Sequence, residues 1–110
     1  MSTDDTIIIR VDAGICGFHC TIEAFSAKKR TVRLVISDSA CEHLQRLGDH
    51  LQEITLNELF MTLSRNSIFV SAERARCHPA CPVPAALVKA AEVAMGLALP
   101  KSAHIDFIQP

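Results

Sequence analysis

Residues 76–96, Arg-Cys-His-Pro-Ala-Cys-Pro-Val-Pro-Ala-Ala-Leu-Val-Lys-Ala-Ala-Glu-Val-Ala-Met-Gly, place two thiols and an imidazole inside five positions and then run into a helical pattern. Pro82 and Pro84 suit the opening of a helix, whose first N–H groups have no intrahelical partner to lose, and Gly96 suits the position just past its end. Cys81 therefore falls where the helix begins, beside unpaired N–H groups and the positive end of the macrodipole. That setting predicts a lowered thiol pKa and a sulfur prepared to act as nucleophile or metal ligand. Cys16 lies in the glycine-rich Asp-Ala-Gly-Ile-Cys-Gly (12–17), and Cys41 lies in the first turn of a second helical pattern, with the same N-terminal dipole beside it. Thiolates with one imidazole suit zinc, iron or an iron–sulfur cluster.

The elements around these residues decide whether they meet. Residues 6–12 are rich in β-branched side chains and alternate, with Ile7, Ile9 and Val11 on one face and Ile8, Arg10 and Asp12 on the other. Gly14 and Gly17 break that strand. Residues 18–25 alternate again, with Cys20 and Ile22 inward and His19 outward; Ser-Ala-Lys-Lys-Arg is a polar turn; residues 31–36 form a third strand with Val32, Leu34 and Ile36 inward. Three strands on short turns make an antiparallel meander, so the end of the third returns to the rim where the first turn lies. Cys16 and Cys41 thus share one rim. If residues 77–81 cross it, Cys16, Cys41, Cys77, His78 and Cys81 converge.

Beyond the meander the period lengthens. Ser39 with Glu42 has capping-box spacing, followed by Leu44, Leu47, Leu51 and Ile54 at helical intervals; Thr55 with Glu58 repeats the signal ahead of Leu56, Leu59, Phe60 and Leu63. Residues 66–76 lean towards a helix. The helix after Cys81 is expected to bury Leu87, Ala91, Ala94 and Met95 with Val88 near its edge, its alanines allowing close packing on the sheet. Residues 103–108 alternate, with Ile105 and Phe107 inward, and are expected to join the sheet. The predicted fold is α+β: a three-stranded antiparallel meander plus a C-terminal strand, helices packed on one face, in a single domain over 1–110.

At this point the order of elements resembles the U-type (NifU/IscU-like) iron–sulfur cluster assembly scaffolds: strand, Ala-Gly-Ile-Cys-Gly turn, two antiparallel strands, a cysteine opening a helix, a capped short helix, and a His/Cys pair opening an alanine-rich helix with Leu-Val-Lys-Ala-Ala. The resemblance implies cluster ligands at Cys16, Cys41 and Cys81, an approximate histidine counterpart in His78, and a sulfur donor or acceptor protein as partner. The chain departs from that pattern at Phe18, where the scaffolds carry the aspartate that assists cluster release, and it lacks their chaperone-recruiting Leu-Pro-Pro-Val-Lys. Over nearly its whole length the chain is also similar to a small family from anaerobic prokaryotes that shares Asp-Ala-Gly-Ile-Cys-Gly-Phe and Cys-His-x-x-Cys-Pro-Val-Pro, a resemblance that implies no activity.

Other readings stand beside this one. The cysteines can serve thiol redox chemistry or sulfur transfer, with Cys81 or Cys41 as an activated thiolate, or they can simply pack, since free cysteine is among the most buried residue types, in what would then be a protein interaction module. Cys20 is expected to pack. His43 and His50 fall on the polar side of their helix and are expected in solvent, and His104 begins the last strand. Asp12 is expected to bond turn N–H groups, with metal ligation as the alternative. Net charge of −1, no Trp or Tyr and five scattered Phe argue against nucleic-acid binding. No apolar run reaches the roughly 20 residues needed to span a bilayer. The short acidic start lacks the order of a signal peptide, and five cysteines, an odd number, do not read as a disulfide framework; the expectation is a cytoplasmic protein. No Ser/His/Asp order, phosphate loop or paired-carboxylate pattern points to hydrolysis or nucleotide chemistry.

Overall fold

The structure, a computed structural model, describes residues 6–109. It is α+β, with a four-stranded antiparallel sheet in the order β1-β2-β3-β4 and its helices gathered on one face. The strands are β1 (Ile7–Asp12), β2 (His19–Lys28), β3 (Thr31–Ser37) and β4 (Glu53–Thr55). The helices are α1 (Glu42–His50), α2 (Leu56–Leu59), α3 (Ser67–Arg74) and α4 (Val83–Ala94), with a 3-10 turn at Leu63–Arg65.

The alternating patterns form the meander as expected, in registers that set Val11 against Cys20 and Ile22 against Ile36. The fourth strand is not the C-terminal one. Residues 99–109 have no regular structure and are exposed, so Ile105 and Phe107 do not point inward. The strand that completes the sheet is β4, whose Ile54 had the spacing of a helical residue. Helix α1 ends at His50 because Leu51 turns extended (φ −121°, ψ 99°), and the chain then pairs Glu53–Thr55 with Thr31, Val32 and Arg33. Ile54 is inward and fully buried there, flanked by exposed Glu53 and Thr55, which is a strand pattern compressed into three residues.

The core lies between sheet and helices. Cys20, Ile22 and Ala24 of β2 and Val32 and Leu34 of β3 meet Leu44 and Leu47 of α1, Ile68 and Ala72 of α3, and Val83, Leu87, Ala90 and Ala91 of α4. Ala90 and Ala91 are the small residues that let α4 approach the sheet closely; Ala94, Met95 and Val88 are half-buried at its margin. The helix stops in a Schellman motif, with Gly96 at φ 77°, its N–H donating to Val93 and that of Leu97 to Glu92. Among the described residues no helix is long and apolar enough to cross a membrane.

Candidate functional site

Four short segments meet at the rim formed by the β1–β2 turn, the end of β3, and the connection from α3 to α4. The first is a tight turn in which the Gly17 N–H donates to the Gly14 carbonyl at 2.9 Å, closed further by Ala13 N–H to Phe18 O at 3.1 Å. Gly14 (φ 91°) and Gly17 (φ 77°) take backbone conformations open to glycine, and Cys16 stands exposed between them. The start of β2 supplies Cys20, fully buried beneath the rim.

The third segment is the opening of α1. Its N-cap is Cys41 (φ −77°, ψ 118°), not Ser39: the Ser39 hydroxyl instead accepts from the Cys41 N–H at 3.2 Å, one step before the helix. The Cys41 side chain makes no capping hydrogen bond, so its sulfur is not committed to the helix it opens.

The fourth segment holds the remaining candidates. Helix α3 ends in another Schellman motif, in which Arg76 N–H donates to Glu73 O and Cys77 N–H to Ala72 O, both at 3.0 Å, with the non-glycine Arg76 at φ 62°. The chain then makes a β-turn closed by Cys81 N–H to His78 O at 3.0 Å, with Pro79 at the position whose fixed φ favours it. That turn folds Cys77 and Cys81 back towards one another. The backbone N–H of Val83 favours charge on the Cys81 sulfur, while α4 itself is opened by Pro82 with no side-chain cap.

Ionisation records how near these sulfurs are. Burial pushes Cys20 up to about 11, and negative charge at Cys81 and Cys41 pushes it further in the same direction. Cys77 is also raised to about 11, first by burial and then by Cys81 and Cys41, with the Arg46 guanidinium opposing. Cys81 is raised by burial above all; the Val83 N–H lowers it, and Cys41 and Cys16 raise it again. The lowered pKa expected at the start of α4 is therefore overturned. The N–H donor is present, but desolvation of a half-buried sulfur among other sulfurs outweighs it.

His78 is exposed and stands edge-on to His43, with ring centroids 5.7 Å apart. His43 is not in solvent as its helical position suggested. It is half-buried, with Nδ1 2.7 Å from Arg46 Nη2 and 3.2 Å from the Ala75 carbonyl. A guanidinium cannot accept, so Nδ1 is the acceptor in the contact with Arg46. Arg46 also donates to Ala75 O at 3.2 Å and so neutralises the carbonyl end of α3 just before Cys77. The signal that could have found Arg46 is its position three residues after His43, on the same helix face. Asp12 is exposed opposite His19 in the sheet, and Asp38 stands 3.7 Å from His19, so the rim also carries exposed carboxylates. His50 and His104 are exposed and lie away from the sulfurs' segments.

All five cysteines are free thiols. Among the described residues no three Cys, His, Asp or Glu side chains stand in an arrangement that could hold a metal ion. The donor chemistry fits zinc or an iron–sulfur cluster, since the sulfurs of Cys41, Cys77 and Cys81 are near enough to act on one another's charge, with the Arg46 guanidinium acting on Cys77. The positions of the protonated side chains do not form a preassembled cage. Comparison with curated proteins and with solved structures found no match. Over residues 7–107 the chain matches the family described as a family of unknown function (DUF6951), and it belongs to that family.

Proposed function

We propose that this protein binds a metal ion or an iron–sulfur cluster at the cysteine rim, through Cys16, Cys41 and Cys81 with Cys77 or His78 completing the set, and that it acts as a carrier or scaffold exchanging that cargo with a sulfur donor or acceptor protein. The observation carrying this reading is the convergence of thiols from four separate segments with no disulfide among them. Packing alone does not require sulfur at an exposed turn, at a helix opening that it fails to cap, and both just before and at the close of one β-turn.

The electrostatics support a cation at this place. Each thiolate that forms there raises the cost of forming the next, and a bound metal reverses that by lowering the pKa of every sulfur it touches. Binding then releases protons, and affinity rises with pH. This chain's own residues contribute in distinct ways. The Val83 N–H stabilises charge on Cys81, Arg46 stabilises charge on Cys77, and the two glycines of the 14–17 turn hold Cys16 at the surface, where cargo can enter. The resemblance to the U-type scaffolds belongs to this proposal, as does a cytoplasmic setting that keeps the thiols reduced. The competing reading, an activated thiolate in a thiol enzyme, asks for a lowered pKa, and Cys81 is raised.

The test is anaerobic purification followed by elemental analysis and visible spectroscopy, before and after reconstitution with iron and sulfide or with zinc. Thiolate-to-metal charge-transfer bands or stoichiometric zinc are expected, lost in Cys81→Ser and Cys41→Ser. Comparing Cys77→Ser with His78→Ala identifies the fourth ligand. A protein that stays metal-free under both reconstitutions overturns the proposal.

A further inference from the structure

We propose that residues 103–108 form a β-strand donated to a second copy of this chain, adding antiparallel to the free edge of β1, and that the two copies exchange these strands reciprocally. The sheet order leaves β1 with β2 on one side only, and among the described residues no other backbone group bonds to its outer edge. A six-residue edge reading Ile-Ile-Ile-Arg-Val-Asp is a template for another strand.

The segment to be donated has no regular structure of its own, and among the described residues no backbone hydrogen bond engages residues 103–108. Ile105, Phe107 and Ile108 are 88%, 89% and 88% exposed, a run of large apolar side chains that water does not favour. The tail is held off its own body. After the Schellman stop at Gly96, the Lys101 N–H donates to the Leu99 carbonyl at 2.8 Å across Pro100, a three-residue turn, and the molecule measures 46 Å along one axis against 28 and 27 Å along the others. The family match runs to residue 107 and so covers the segment up to its last residue.

One antiparallel register satisfies both faces. On the face towards α4, Ile9 meets Phe107 and Val11 meets Ile105; on the open face Ile8 meets Ile108, Arg10 meets Asp106 and Asp12 meets His104. Apolar residues pair with apolar ones, and opposite charges stand directly across. Sliding the tail by two residues one way sets Asp12 against Asp106, and sliding it the other way sets Ile8 against Asp106. A one-residue slip turns Ile105 and Phe107 to the solvent face. A parallel pairing keeps Arg10 with Asp106 but sets Ile8 against His104 and Asp12 against Ile108. The antiparallel register also carries His104 of the donating copy to Asp12, at the rim beside the turn that holds Cys16.

Sedimentation equilibrium on the full chain tests this. The wild-type chain is expected to be a dimer. A chain ending at Ser102 is expected to be a monomer with an unchanged far-ultraviolet circular dichroism spectrum, because the removed residues cover nothing in their own copy. Arg10→Asp and Asp106→Arg each place like charges across both exchanged strands and should raise the dimer dissociation constant about tenfold or more. Mixing the two single variants should restore association, because the mixed dimer has opposite charges at both junctions. A monomeric wild type overturns the proposal, including one whose amides at 103–108 are protected by pairing within the same copy. So does a dimer that survives the truncation, or a mixture no tighter than its components.

Discussion

The two ends of the sheet open their helices by different chemistry. At the end where β4 meets the β2–β3 turn, oxygen does the capping. Thr55 accepts from the Glu58 N–H at 3.2 Å while Glu58 accepts from the Thr55 N–H at 2.9 Å, and Asn66 accepts from the Ile68 N–H at 2.9 Å. At the opposite rim α1 is opened by Cys41, which caps nothing, and α4 follows Cys81, a weak sulfur acceptor. The first end opens its helices on side-chain oxygens that accept from backbone N–H groups, the arrangement that stabilises a helix start. The second carries thiols that helix capping does not use, and it is the end to which the proposed binding site is assigned. Substitutions at the two ends should therefore separate into those that cost folding and those that cost binding.

The largest loss of stability is expected at Asn66. Its buried amide caps α3 and also donates to the carbonyls of Leu59 at 3.1 Å and Glu58 at 3.4 Å, locking α2 onto α3. Asn66→Ala removes the cap and strands a buried carbonyl, which together cost about 2–3 kcal/mol. Urea unfolding measures it, and metal content per folded molecule should not change. A loss below about 1 kcal/mol would show that the oxygen-capped end is not the stabilising one.

The rim should betray itself at high pH. In the metal-free protein Cys20 and Cys77 hold their protons to about 11 against an ordinary 9.0, chiefly through burial. The unfolded chain ionises first, so the stability these thiols contribute is complete below 9.0 and is lost as pH climbs towards 11. The unfolding midpoint followed across that window should fall, and fall less in Cys20→Ala measured against its own value at neutral pH. A midpoint with the same alkaline slope in both proteins would contradict the assigned burial.

Most of this division could be read in the sequence, and the exceptions have physical causes. Alternation at 6–12, 18–25 and 31–36 was enough for the meander, and the meander alone brings Cys16 and Cys41 to one rim. The Thr55/Glu58 box was visible because both partners are polar and correctly spaced. The true cap of α1 was hidden because cysteine carries no capping signal, and Ser39 with Glu42 offered a false one. Ile54 kept the helical spacing after the helix had ended, since one inward residue of a three-residue strand has no period of its own. The pKa of Cys81 was misjudged because a sequence shows the dipole beside a thiol but not the burial around it. The role of Arg46 needs α1 and α3 side by side, and the tail's alternation is a strand pattern that does not pair with its own sheet.

Two smaller effects sharpen the contrast. Thr55→Ala should cost about 1 kcal/mol through the lost cap. Glu58 is held below the usual carboxylate range by the Thr55 N–H first, with Ser67 and the Thr55 hydroxyl adding to it. Its contribution is present above the ordinary carboxylate pKa and is lost as pH falls through the lowered one, so the variant's deficit should shrink in acid. At the rim, Arg76 occupies a left-handed conformation at φ 62° that glycine adopts without strain. Arg76→Gly should stabilise by about 0.5 kcal/mol, the relief of strain exceeding the added freedom of the unfolded chain. No change, or a loss, would mean that the Arg76 side chain is held by contacts of its own.

The smallest expected effect on folding is at Cys41, and it bears most directly on the comparison. The residue sits in N-cap geometry without a capping bond, and serine is among the best residues for that position. Cys41→Ser should leave the metal-free protein as stable as before, or more stable by a few tenths of a kcal/mol, while metal content after reconstitution falls. That outcome would support the proposal that the Cys41 sulfur serves binding, since an oxygen would fold at least as well there. If the serine variant instead unfolds more readily by over about 1 kcal/mol, the half-buried thiol is a packing residue and the rim differs from the opposite end only in how its core is filled.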